Sequence, residues 1–190
     1  MERTGIGRTV SCSEAGPLIA RYARRVIIRR ALPDDVLGIN GMHAACGRSL
    51  WDSRVLDEDP DRCVVVAVID GEIVGAGKTH HQLEDVIPAR AGYYLGGVSV
   101  HPDHRRRGIG RALTAARIDW VWERSDTVLY FTDDHNVASM RMHASFGFEE
   151  IARSSAILDA RADGGALVLF CAQRRDARST RDADSLTGRA

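Results

Sequence analysis

The chain has 190 residues, 44% hydrophobic and 27% charged, and its 26 basic and 26 acidic side chains cancel. That length fits one domain, with a globular core and a soluble surface. The longest purely apolar run, Val64–Ile69, is strand-sized and too short to span a membrane, and the opening MERTGIGRTVSCSEAG lacks the apolar core of a signal peptide, so the expected location is cytoplasmic.

Residues 1–30 carry seven Arg and two Glu, and residues 173–190 carry five Arg and three Asp. The body between them, 31–172, holds 14 basic and 21 acidic side chains, four of the basic ones at Arg105, Arg106, Arg107 and Arg111. An acidic body with one basic spot argues against a nucleic-acid partner and suits a cationic substrate; on charge alone, a solvated acidic surface fits equally. The four cysteines, Cys12, Cys46, Cys63 and Cys171, form no CxxC pair. No metal site is expected, and the thiols read as reduced.

In chain order, Val26–Ala31 reads as a first strand. Pro33-Asp34-Asp35 starts a helix, with its acids in the first turn, and Val36, Ile39, Met42 and His43 continue it. A short second helix is expected at Leu50–Leu56, then a loop at Asp57–Asp61. Cys63–Ile69 and Glu72–Thr79 flank Asp70-Gly71, a two-residue hairpin signal. His80–Arg90 reads as an irregular polar loop. Gly92–Val100 is a strand whose internal glycines, Gly96 and Gly97, point to a bulge or a close backbone approach.

Ile109, Leu113, Ala116 and Trp120 recur at helical spacing and predict a helix over Gly108–Glu123. Val128–Thr132 is the next strand and Asn136–Ser145 the next helix. Glu149–Leu158 and Ala166–Cys171 suggest a closing antiparallel pair joined by the polar turn Asp159–Gly165. The domain is expected over 25–172. It follows an N-terminal extension, 1–24, in which Leu18–Arg25 is a helix candidate, and precedes a disordered tail, 173–190. The order predicts a mixed α/β sheet with a parallel crossover from strand 92–100 through the helix to strand 128–132.

That crossover carries HPDHRRRGIGR, His101–Arg111. His101-Pro102 stops the strand and Arg105–Gly110 leads directly into the helix. A helix N-terminus offers free N–H groups and partial positive charge, and glycines let backbone approach a ligand closely. The arginines add attraction for a polyanion. No Walker GxxxxGK[S/T] is present, and a GxGxxG fingerprint fails because Leu113 stands where the third glycine belongs. What remains is R-x-x-G-x-G at Arg105, Gly108 and Gly110, preceded by VSVHP and followed by RAL. This resembles the pyrophosphate loop of the GNAT superfamily of N-acetyltransferases.

The resemblance implies a mostly antiparallel central sheet flanked by helices, acetyl-CoA as acetyl donor, and an amine as acceptor. It implies that backbone amides along Arg106, Arg107, Gly108, Ile109, Gly110 and Arg111 hold the coenzyme A pyrophosphate, with Arg105 also at the cofactor. Val98, Ser99 and Val100 would pair their backbone with the pantetheine arm, and an N–H near Val98 would polarise the thioester carbonyl. Homodimers are common in the family.

A second segment, NVASMRMHASFGF from Asn136 to Phe148, is similar to that family's Asn-x-x-Ala/Ser-x-x-x-Tyr-x-x-x-Gly-Phe signature, with Asn136, Ser139, Gly147 and Phe148 in register. His143 stands where many members carry a Tyr that donates to the departing thiolate. It is expected either to give that proton or hydrogen bond, or to pack against the cofactor. Many members place a Glu base on the strand that here reads Leu95-Gly96-Gly97. Without it, the base candidates are His80, His81, Glu84 and Asp85, or a relayed water.

In the family the first helices and the loop before the central strand shape the acceptor site. Here they offer Trp51, Asp52, Asp57, Glu58, Asp59, Glu84 and Asp85, with Tyr94 on the strand. Carboxylates beside an aromatic suit a small cationic amine, polyamine-like or aminoglycoside-like. The FTDDHNVASMRMHASFGFEE stretch is similar to some antibiotic acetyltransferases, which adds antibiotic resistance to the expectations. Two alternatives stand: a protein or peptide N-acetyltransferase, and a non-catalytic acyl-CoA-binding regulatory module.

Overall fold

Asp70 and Gly71 both adopt positive φ, 52° and 87°, which matches a two-residue hairpin turn to the twist of its strands. The turn organises the first half of the sheet in the computed structural model, which describes residues 25–174. Strand β1 (Ile27–Arg30) pairs antiparallel with β2 (Cys63–Ile69), β2 turns into β3 (Glu72–Gln82), and β3 pairs with β4 (Gly92–Val100). The remaining strands are β5 (Thr127–Asp133), β6 (Glu149–Ser154), β7 (Ala156–Ile157), β8 (Ala160–Arg161) and β9 (Leu167–Gln173). The main sheet has seven strands in the order β1-β2-β3-β4-β5-β9-β6, and only β4–β5 is parallel. The expected crossover supplies that parallel pair.

Helices cover both faces. On one, α1 (Val36–Ala45) packs Ile39 and Met42 on Val66, Val68 and Ala76. On the other, α2 (Ile109–Trp122) packs Ile109, Leu113 and Val121 on Val65, Ala67 and Leu95. Strand β2 feeds both cores by simple alternation, which explains its continuous VVVAVI. The third helix, α3 (Val137–Ala144), is on the α2 side, where His143 stacks on Tyr130 of β5. Among the described residues no helix is long and apolar enough to cross a membrane.

Several boundaries shift by a single residue, and four differences go further or bear on the domain end. The Leu50–Leu56 segment is a single 3-10 turn, Ser53–Leu56, because Asp52 Oδ1 accepts the Arg54 N–H at 2.9 Å and opens the chain into a cap. Strand β3 runs to Gln82, so His80 and His81 are strand residues; their rings stack on Tyr94 and Tyr93 across the β3–β4 pair and extend it. Strand β6 ends at Ser154, and the β7–β8 hairpin follows, burying Ile157 against Leu167 and Leu169. Strand β9 continues to Gln173, two residues past the expected strand end and one past the expected domain end. The expected extension 1–24, with its helix candidate, and the tail past Arg174 lie outside the described residues.

Candidate active site

Strands β4 and β5 share one register pair, Tyr94 with Leu129. Beyond it β4 slips: Leu95 faces Thr79 and Val98 faces Gly77, so Gly96 and Gly97 together oppose Lys78. This two-against-one step is the bulge expected from the glycines. A Cβ on Gly96 would lie 2.9 Å from Lys78 Cγ and 3.3 Å from Cε, so the lysine stem lies flat across that glycine. From Gly97 to Val100 the strand has no register partner on its β5 side. The backbone edge left there is a cleft into which an extended ligand arm can add like a strand.

The cleft leads to the N-terminus of α2. The His101 N–H donates to Val74 O at 2.8 Å and ends the strand; Pro102–His104 makes a 3-10 turn; Arg105 Nε donates back to Val100 O at 3.1 Å. Arg106 and Gly108 then take positive φ, 58° and 79°. Gly108 caps α2 with no side-chain hydrogen bond, and among the described residues a Cβ built on it meets nothing within 4 Å. The loop is an exposed backbone concavity with arginines around it, a form that suits a diphosphate. Arg111 is engaged elsewhere: its guanidinium donates to Ser145 Oγ and lies 4.7 Å over the Phe146 ring, tying α2 to α3.

Asn136 caps α3. Its Oδ1 accepts the Ser139 N–H at 3.2 Å and its Nδ2 donates to Thr132 Oγ1 at 2.9 Å, fixing the helix to β5. That cap aims His143 into the core, 3% exposed, stacked 3.8 Å from Tyr130 and edge-on to Phe148. Its Nδ1 lies 2.9 Å from Ser139 O, and a carbonyl can only accept, so Nδ1 carries the proton and Nε2 is bare. Burial pushes its pKa down to about 4. The acid role expected for His143 does not fit this ring, because the neutral tautomer spends its one N–H on Ser139.

The other expected catalytic groups separate. His81 stacks on Tyr93, with Nδ1 3.7 Å from Asp61 Oδ1, an oxygen whose hydrogen bond comes from Tyr93 Oη at 2.8 Å. It is three strand positions from Lys78, about 10 Å along β3. Glu84 is exposed beyond the strand end, and Asp85 Oδ1 accepts the Ala91 N–H at 2.7 Å to brace the 83–91 turn. His80 stacks on Tyr94, and burial lowers its pKa. Tyr94, expected at the acceptor, is fully buried, and its hydroxyl donates to Arg90 O at 2.8 Å. These groups shape the β3–β4 turn and are not gathered around the bulge.

Trp51 is brought to it. Asn40 holds the Trp51 backbone at both ends, at 2.9 and 2.8 Å, and Lys78 Nζ is 5.5 Å from the indole centroid. Leu50, Trp51, Asp52, Arg54, Val55, Arg62 and Lys78 line a hollow of about 360 Å³. Asp52 is turned to Arg54 at 3.1 Å. A larger hollow, about 430 Å³, is walled by Asp34, Asp35 and Glu72, a poor match for a polyanionic donor. Lys78 was missed in the sequence, although it is the single lysine beside 25 arginines.

The model of the acetyltransferase (GNAT) family matches residues 37–148. A curated mycothiol acetyltransferase from Thermobispora bispora is 36% identical over 72 residues, 37% of this chain and 24% of that protein; the chain spans about a quarter of the length of that relative. The Escherichia coli ribosomal-protein-S18-alanine N-acetyltransferase superposes with a TM-score of 0.63 at 18% identity, over 82% of this chain and 97% of that one. A putative acetyltransferase from Salmonella typhimurium, solved with acetyl-CoA, gives 0.61 at 22% identity, over 81% and 96%. Nourseothricin acetyltransferase gives 0.59 at 18%, over 79% and 99%.

Proposed function

The chain belongs to the acetyltransferase (GNAT) family of acetyl-CoA-dependent enzymes, and on that premise we propose that it acetylates a primary amine of a small molecule. The observation that carries the reading is a meeting point. Lys78 lines the Trp51 hollow while its stem lies across Gly96, at the step where β4 slips in register, so it links the hollow to the splayed end of the β4–β5 pair. The residues present fit the donor: Arg105–Gly110 would hold its diphosphate and the Gly97–Val100 edge its extended arm. Bound there, acetyl-CoA supplies an activated acetyl group to an amine entering from the hollow.

Lys78 sharpens the acceptor. It lies over Trp51, so the ring face expected to receive a cation already carries one. A polyamine would meet like charge there. An amine beside a neutral or anionic group fits better, with Lys78 as the counter-charge. A partial relative named for mycothiol rather than for a protein supports a small acceptor.

The test is thiol release from acetyl-CoA across amino acids, acidic amino sugars, aminoglycosides and polyamines. Turnover should favour acceptors bearing a carboxylate or phosphate, and Lys78→Met should raise their KM about tenfold while leaving the acetyl-CoA KM unchanged. Binding of acetyl-CoA without thiol release to any amine would instead indicate an acyl-CoA-binding module.

A further inference from the structure

Arg117 is the least expected residue in the core. Ile109, Leu113, Arg117 and Val121 form one helical row on α2, and the arginine, like Leu113 and Val121, is 0% exposed. Burial lowers its pKa to about 10, so it stays charged at neutral pH. Among the described residues no carboxylate lies within 4.0 Å of it. Its donors go to four oxygens: Leu113 O at 3.2 Å, Thr114 Oγ1 at 3.2 Å, Lys78 O at 2.9 Å and Gly96 O at 2.8 Å. Gly77 makes the room, since a Cβ there would fall 3.0 Å from the guanidinium carbon.

Two of those oxygens belong to the bulge. One Nη1 joins Lys78 of β3 to Gly96 of β4 at the step where their register slips. Gly96-Gly97 has no Cβ to hold its conformation, and such a pair is the freest backbone a strand can contain. In a trans peptide, fixing the carbonyl also fixes the N–H on the opposite side. Anchoring Gly96 O therefore sets the Gly96–Gly97 plane and, through it, the backbone entering the cleft. A buried charge is an expensive way to stabilise a fold, which leaves its place at this step to be explained by the site.

We propose that Arg117 is a positioning residue: it locks the bulge so that the first free N–H of β4 beyond it, at Gly97 or Val98, is aimed at the thioester carbonyl of the donor. The proposal rests on the acetyl-CoA reading above. The cation also polarises the peptide it holds, which strengthens that N–H as a donor. During aminolysis the amine nitrogen–carbon bond forms, the carbon–sulfur bond breaks, the thiolate takes the electron pair, and the ammonium proton passes to solvent. The negative charge appearing on the carbonyl oxygen along the way is what the aimed N–H meets.

The experiment uses [1-13C]acetyl-CoA with wild-type protein, Arg117→Met and Arg117→Lys. Hydrogen bonding to the thioester oxygen moves the carbonyl carbon resonance downfield on binding. Wild type should show that shift. Arg117→Met should bind coenzyme A within threefold of wild type, lose most of the shift, and lose about 10²–10³ in kcat, the effect of removing one oxyanion donor. Arg117→Lys should restore part of both, and it decides the matter if the Met variant does not fold. A folded Met variant with kcat and shift unchanged overturns the proposal, and so does a fall in kcat with the shift intact. Wild type that binds acetyl-CoA without a shift overturns it too, while leaving the donor assignment standing. Wild type that does not bind acetyl-CoA overturns both.

Discussion

His143→Phe isolates one buried titration. The native ring takes a proton only near pH 4, whereas the same imidazole in the unfolded chain titrates near 6.5. Between those values the unfolded state binds more protons, so falling pH favours unfolding. The stability His143 supports is complete above about pH 6.5 and is lost as pH drops through about 4. A shift of this size corresponds to about 3 kcal/mol. Phenylalanine keeps the stack on Tyr130 and does not titrate. Urea denaturation of both proteins from pH 7.5 to pH 4 cancels the other groups to first order. The difference in unfolding free energy should move toward the variant by about 3 kcal/mol across that range. At pH 7.5 the variant should be about 1 kcal/mol less stable, for the lost bond to Ser139 O. A difference that stays flat within about 0.5 kcal/mol would show that the imidazole titrates normally, and the buried neutral ring would be wrong.

Two further outcomes follow from the same geometry. Gly108→Val places a β-branched residue at φ 79°, costing about 1–2 kcal/mol of stability, and puts a side chain in the loop concavity. Coenzyme A affinity by calorimetry should fall by at least about tenfold, and an unchanged affinity in the folded variant would refute the cradle. Tyr130→Phe removes a buried hydroxyl that has no hydrogen-bond partner among the described residues. Thermal unfolding should show a gain of about 1 kcal/mol with kcat unchanged; a large loss of kcat would make that phenol the missing proton donor.

What the sequence revealed of the fold and site divides along a physical line. Gly108 and Gly110 beside Arg105, the Asp70-Gly71 turn, and the Asn136 cap are local. Their backbone consequences lie within a few residues, so spacing alone exposes them. The bulge was legible too, since two adjacent glycines inside a strand have few other uses. Side-chain neighbourhoods were not. Glu84 and Asp85 looked like an acidic acceptor wall, but Asp85 braces its own turn. His81 looked like a loop base, but ring stacking on Tyr93 drew it into the strand. Arg117 is hidden because helical periodicity is a pattern of apolar residues. Ile109-Leu113-Arg117-Val121 reads as a core row only if an arginine is allowed to be buried. Lys78 carried a compositional signal, a single lysine among arginines, that charge counting discards by pooling the two.

The two buried cationic-type residues of the α2 face behave oppositely, and the difference bears on the chemistry. His143 sits among Tyr130 and Phe148, with one carbonyl to receive its proton, so the aromatic core holds it neutral. Arg117 has four oxygen acceptors and keeps its charge. Its field further opposes protonation of His143, adding to the cost of burial. An imidazolium on this face is therefore penalised twice. On the proposed function, the departing thiolate is not met by an acid from α3, and a thiolate is a good enough leaving group to go without one. The barrier then lies in the carbonyl's developing charge rather than in proton delivery. That is the step a fixed cation behind the Gly96–Gly97 peptide can act on, and it ties the neutral His143 and the charged Arg117 to one division of labour. If Arg117→Met left kcat intact while His143→Phe removed it, that division would be reversed.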